Sequence, residues 1–309
     1  MKKIINLICV LCAVSIFICL CIHTEAKDNT FQGEGTKENP YKISNADELL
    51  QFAENVNSGE NYENTWFQQV NNIDLYGVDW VPIGIFDSGN YFYGVYDGAG
   101  HYISNLIINR TDNAGFFGQL GGICLNLGIE SGCLRGACVG AISSHSVSDS
   151  AAIINCYNKA DIVAYRAGGI ADNFGGSIIN CWSDCALDGE IMGGIISYGA
   201  VQVRTCVSSQ KLSPLGNDIG DGCYQVACIN SAEVVNELNL SVFEINYAHF
   251  NYRDINRWEL NEKECLSFGE KTKFNLSLYV RTHVVQLIPY LLIIITLLCI
   301  FKVSFINHY

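Results

Sequence analysis

Residues 153–172 read IINCYNKADIVAYRAGGIAD, and residues 178–197 read IINCWSDCALDGEIMGGIIS. The two stretches align without a gap at a step of 25 residues. Cys156, Cys181 and Cys206 keep that step, as do Asn155, Asn180 and Thr205. Tyr157, Trp182 and Val207 follow them, and Gly168-Gly169-Ile170 recurs as Gly193-Gly194-Ile195. Toward the N-terminus, Leu125-Asn126-Leu127 corresponds to Ile154-Asn155-Cys156 at a step of 29, and Ala114-Gly115 to Val139-Gly140 at 25. Several residue types agreeing at one period mark a repeat architecture.

Each unit contains short β-type pieces separated by Gly, Asn, Asp and Ser, with no helical periodicity. Three strands of roughly five residues plus three bends fill such a unit. Stacked units pair each strand with its counterpart in parallel, about 4.8 Å away. Ile153, Ile178 and Val203 then form an inward apolar ladder, and Asn155, Asn180 and Thr205 a polar ladder along a bend. The Gly pairs suit corners, where they permit positive φ or close backbone approach. Pro cannot donate to a ladder, which fits the presence of only 4 in 309 residues. The expected fold is all-β: a parallel β-helix of about four to five coils over residues 91–230.

Solenoid ends must be capped. Residues 27–90 are expected to form the N-terminal cap, with a short helix beginning after Ser44 or Asn45. Leu49, Leu50, Phe52 and Ala53 supply its apolar face. Residues 231–283 are expected to form a C-terminal cap and stalk, with a short helix at 232–240 and a closing strand near 256–260.

Both termini are apolar. Residues 1–26 open with Lys2-Lys3 and run apolar to Ile22, as a secretory signal peptide or an uncleaved anchor would. Residues 284–301 carry no charge, so a C-terminal transmembrane helix is expected over 284–302. The N-terminal Lys pair holds the start inside, which places residues 27–283 outside and a tail of residues 303–309 in the cytoplasm. The exported part carries 15 Lys and Arg against 30 Asp and Glu, a net charge of −15. That excess of acid argues against nucleic acid, whose phosphates need a basic face. It also disfavours acidic polysaccharides.

The chain resembles bacterial surface proteins with GLUG-type repeats. The resemblance is carried by GEGTKENPYKISNADELLQFAENVN (residues 33–57), IDLYGVDWVPIG (73–84), FYGVYDGAGHYISNLII (92–108) with GFFG (115–118), and EVVNELN (233–239) followed by Trp258. It implies an exported β-helical protein of the kind associated with adhesion or the cell wall. The sequence lacks the family's sortase-type LPxTG signal, so covalent wall attachment is not expected.

No residue set reads as catalytic, and none calls for a metal or cofactor. Along the repeat, Asp161 stacks on Ala186, Asp172 on Ser197 and Asp188 on Val163, so no carboxylate meets another. Lys159 and Asp184 stand one step apart as a surface ion pair. His101 and His145 read as solvated turn residues. Tyr157 stacked on Trp182 offers the best candidate for ligand binding, as an aromatic platform if it faces outward and as core packing if inward. Cys133 with Cys138, and Cys223 with Cys228, are candidate disulfides closing short loops, whereas the Cys156, Cys181 and Cys206 ladder behaves as buried apolar filler. The leading expectation is a membrane-anchored surface protein that binds a glycan or protein ligand. A polysaccharide-active lyase or glycosidase, or a structural partner of another envelope protein, are the alternatives.

Overall fold

In the computed structural model, residues 31–199 and 202–210 are described, together with 223–226, 229, 232, 234–236, 238, 239, 256–261 and 266–271. The repeat becomes a parallel β-solenoid whose coils begin at Trp66, Val95, Ile123, Ala152, Ser177 and Gln202. Four sheets run along its axis. We call them A, which holds those six strands and Tyr41–Ile43; B, from Ile73–Asp74 to Tyr224–Gln225; C, centred on Gly132–Gly140 and Asp161–Gly168; and D, from Phe117–Leu120 to Ile196–Tyr198. The register keeps the expected correspondences: Ile153 opposite Ile178, Tyr157 opposite Trp182, Leu125 opposite Ile154, and Ala114 opposite Val139.

The fold expectation needs two corrections. The solenoid has about six coils, not four to five. The first coil lies inside the stretch read as a cap, where strands Trp66–Gln69 and Ile73–Asp74 already pair in parallel with the next coil. The early coils step by 28 or 29 residues, and their extra loop residues hide the repeat. Nor does the described fold contain a transmembrane helix: among the described residues no helix is long and apolar enough to cross a membrane. Residues 1–26, 284–302 and 303–309 lie outside the described residues.

The helical cap is a single short helix, α1 (Ala46–Asn57). Asn45 is its N-cap: its side chain accepts from the Glu48 N–H at 3.0 Å, while Glu48 accepts from the Ser44 N–H at 2.6 Å. Leu49, Phe52, Ala53 and Val56 are buried, whereas Leu50 is 36% exposed. Phe52 closes the end of the core against Phe67, Phe92 and Tyr96, with ring centroids 4.4, 5.2 and 5.7 Å away. The core is aromatic at this end and becomes Ile, Ala, Val and Cys in the later coils.

The A-to-B corner explains the Asn ladder. Asn126, Asn155, Asn180 and Thr205 take φ of 53, 55, 56 and 49°, the left-handed region in which Asn costs less than most residues. Asn126 Nδ2 donates to Asp97 Oδ1 at 2.9 Å and Asn155 Nδ2 to Asn126 Oδ1 at 2.9 Å, and the Asn180 amide lies 2.6 Å from Asn155 Oδ1.

Asn256–Leu260 does not close the end of the stack. It pairs antiparallel with Leu266–Lys271, and this hairpin lies on the flank of the solenoid. There the Asn256 N–H donates to Asn126 Oδ1 and the Asn256 carbonyl accepts from Asn155 Nδ2, both at 3.0 Å. Residues 232, 234–236, 238 and 239 are helical and share this flank: Val234 and Leu238 are buried with Trp258 and Leu266.

Candidate functional site

Where sheet C turns into sheet D, the chain bends at Gly168-Gly169. A Cβ on Gly168 would stand 1.7 Å from the Ala171 carbonyl oxygen, so only glycine permits this bend. The sharp corner brings Arg166, on one strand, onto Asp172, on the next: Nη2 donates to Oδ2 at 2.8 Å. Asp172 is fully buried, and its other oxygen accepts from Ser197 Oγ of the next coil at 2.6 Å. Burial pushes the Asp172 carboxyl up, opposed by the Ser197 hydrogen bond and Arg166.

His145 completes the cluster from the preceding coil. Its Nδ1 lies 2.9 Å from Ser144 Oγ and 4.0 Å from Asp172 Oδ2. Burial, reinforced by the Arg166 charge, brings its pKa down to about 4, so the ring is neutral at pH 7. Register places Gln119, His145, Asn173 and Tyr198 in one row along the axis. Tyr198 is 44% exposed and carries the Arg166 guanidinium 4.8 Å from its ring centroid. The exposed ring of Phe86 meets His145 edge-on at 4.9 Å. The result is a polar row bracketed by two exposed aromatics, with its one cation already neutralised. It has one carboxylate, whereas glycoside hydrolysis generally uses a pair. Among the described residues no group of three or more His, Cys, Asp or Glu is placed to hold a metal ion.

The sequence pointed elsewhere for the platform. Tyr157 and Trp182 do stack, with centroids 4.5 Å apart and rings 3° from parallel. Gly128 makes room beneath, since a Cβ there would stand 2.3 Å from the Tyr157 ring. The stack is nevertheless buried, at 3% and 0% exposure, under Trp258 and Phe268 of the hairpin. It therefore offers no open face to a sugar: the pair lies outside the solenoid's interior core, in a second buried cluster that the hairpin covers. Burial and Glu130 push the Tyr157 hydroxyl far above its ordinary range; that hydroxyl donates to Glu130 Oε2 at 2.6 Å. Lys159 pairs with Glu130 at 2.9 Å, in place of the expected pairing with Asp184.

The cysteines also rearrange. Cys133 and Cys138 lie on one strand, Gly132–Gly140, five residue steps of extended chain apart, about 16 Å between their Cα atoms. A disulfide needs roughly 4.4–6.8 Å, so this pair is not bonded. Cys228 lies outside the described residues. Cys223 instead extends the ladder: the N–H groups of Cys156, Cys181 and Cys206 donate to the sulfurs of Cys181, Cys206 and Cys223 at 3.4, 3.4 and 3.3 Å. His101, expected in a solvated turn, has Nδ1 3.3 Å from Asn72 Oδ1, and its pKa is lowered by partial burial.

The cluster does not show at a single 25-residue step, because it joins two sheets across a corner. The available signal was Arg166 and Asp172 flanking the Gly168-Gly169 corner, which folds positions i and i+6 together across two sheets.

No family model matches the chain, so membership of the GLUG-type family is not shown; the β-helical fold that the resemblance implies is present. A protein of Evansella cellulosilytica named "Putative Gly-rich membrane protein" is 43% identical over 109 residues, covering 31% of this chain and 12% of that protein. The match thus spans about an eighth of that relative's length. A crystal structure from Bacteroides ovatus, described as a putative immunoglobulin A1 protease, superposes with a TM-score of 0.46 at 18% identity, covering 76% of this chain and 94% of the other.

Proposed function

We propose that this chain is an exported β-solenoid of the cell surface, located at the membrane, that acts by binding a glycan or protein ligand along the bend between sheets C and D. The observation that carries the reading is the axial row Gln119, His145, Asn173 and Tyr198, bracketed by exposed Phe86 and Tyr198. Successive coils each place one residue of the row, about 4.8 Å apart, which suits an extended ligand better than a compact one. Sites of this kind combine apolar surface with a few polar groups that fix orientation. The charged start and apolar run of residues 1–26, and the apolar run at 284–301, support export and the membrane location. The Gly-rich membrane protein similar to one part of the chain supports it too.

The test is an array of glycans and extracellular proteins probed with the purified full chain. Saturable capture by at least one ligand class, without turnover of that ligand, is expected. Cleavage of an arrayed glycan, abolished by substitution of an acidic residue, would replace the binding reading with the enzymatic one.

A further inference from the structure

We infer that the bend between sheets C and D is a subsite for a neutral, hydroxyl-rich sugar, a claim that rests on the binding function proposed above and names its ligand class. Four features of the site converge on this chemistry. First, the one cation of the cluster is spent: Arg166 is held by the fully buried Asp172 at 2.8 Å, so the pair carries little net charge. Second, Arg166 Nε is buried without a hydrogen-bond partner, while the guanidinium also meets the Cys138 thiol; a ligand oxygen reaches Nε only when the Arg166 side chain shifts. Third, His145 is neutral and its Nδ1 is engaged by Ser144 Oγ. A neutral imidazole pairs with a hydroxyl through either role, whereas an imidazolium would select anions. Fourth, the row ends on Tyr198, whose ring is 44% exposed with Arg166 lying over it, beside the half-buried Asn173.

A sugar ring carries an apolar C–H face and a rim of hydroxyls. An exposed aromatic ring covers the first, and fixed planar polar groups pair with the second. An anionic ligand fits less well. It would meet a guanidinium already paired with a carboxylate, on an exported domain of net charge −15. A peptide strand would have little to pair with at Ser143–Ser146 and Ala171–Asn173, which have neighbours on both sides; among the described residues only the end strand Ile196–Tyr198 leaves an edge.

The experiment titrates the purified full chain by calorimetry with cellohexaose, mannohexaose and chitohexaose, and with hexagalacturonate as the anionic counterpart. At least one neutral hexasaccharide is expected to bind at a single site, and more tightly than hexagalacturonate. Tyr198→Ala should weaken it about tenfold with an unchanged melting temperature. Arg166→Lys should weaken it while leaving the charge pair in place, which separates the lost Nε donor from misfolding. Preference for hexagalacturonate, or neutral-sugar binding indifferent to Tyr198→Ala, would overturn the inference. If a protein on the array binds and no hexasaccharide does, the sugar subsite fails while the binding function stands. If neither binds, both fail.

Discussion

Single residues hold the A-to-B corner. Each of Asn126, Asn155 and Asn180 supplies a left-handed backbone and an amide that reaches the next rung. Asn155→Ala removes both, and leaves Asn126 Oδ1 and the Asn256 carbonyl each short of a donor. We expect a loss of about 3 kcal/mol in chemical denaturation, and a smaller loss for Asn155→Gly, which keeps the backbone conformation. Equal losses would show that the amide, not the corner, carries the effect. The Cys ladder beside it has a different logic. The Cys156, Cys181 and Cys206 N–H groups point along the axis inside the core, and a thiol is a small apolar group that can still accept them. Cys181→Ala should cost about 1–3 kcal/mol by orphaning the Cys156 N–H, although the methyl fits the space. Burial raises these thiols well above their ordinary range, so alkylation by a thiol reagent should require unfolding. These positions were legible before the fold was known, because a ladder repeats the same residue at the same step.

Elements added after the repeat were less legible. The hairpin Asn256–Leu260 with Leu266–Lys271 has no periodic partner, and its place is set by what it covers: the Asn ladder and the Tyr157–Trp182 stack. A strand-like segment containing Trp258 was readable; the flank that it covers was not, since that contact spans 101 residues of sequence from Asn155. Trp258→Ala should cost about 3–5 kcal/mol and red-shift the Trp182 emission as its cover opens. An unshifted spectrum would mean that the hairpin does not shield the stack. The C-to-D bend carries its own signature in pH. His145 has a folded pKa near 4 against an ordinary value of 6.5, so the unfolded chain binds the extra proton between those values. Stability from this group is complete above about pH 6.5 and is lost as pH falls toward 4, by at most about 3 kcal/mol. Asp172 opposes it, because its raised carboxyl takes up a proton in the folded state as pH falls. The difference between wild type and His145→Gln in melting temperature against pH isolates the step; parallel curves would contradict it.

At the scale of the whole molecule, the sequence announced a solenoid and undercounted its coils. The 25-residue step is strict only where the corners are bare, and loops in the earlier coils stretch it to 28 or 29 while the strands keep their register. A cross-sheet cluster such as Arg166, Asp172 and His145 depends on how sharply a corner folds. Composition and period do not encode that angle, although the Gly-Gly pair hinted at it. High Gly and scarce Pro follow from corners like this one and from uninterrupted parallel ladders. The net charge of −15 over residues 27–283 narrows the ligand without naming it. The proposed neutral-sugar subsite runs along the C-to-D bend, on a different flank from the hairpin. Its most direct measurement is a hydrogen-exchange footprint of the full chain with cellohexaose, mannohexaose or chitohexaose. Slowed exchange is predicted around Gln119, His145, Asn173 and Tyr198, with no change at Asn256–Leu260. Protection confined to the hairpin, or no protection with any of the three sugars, would contradict the account.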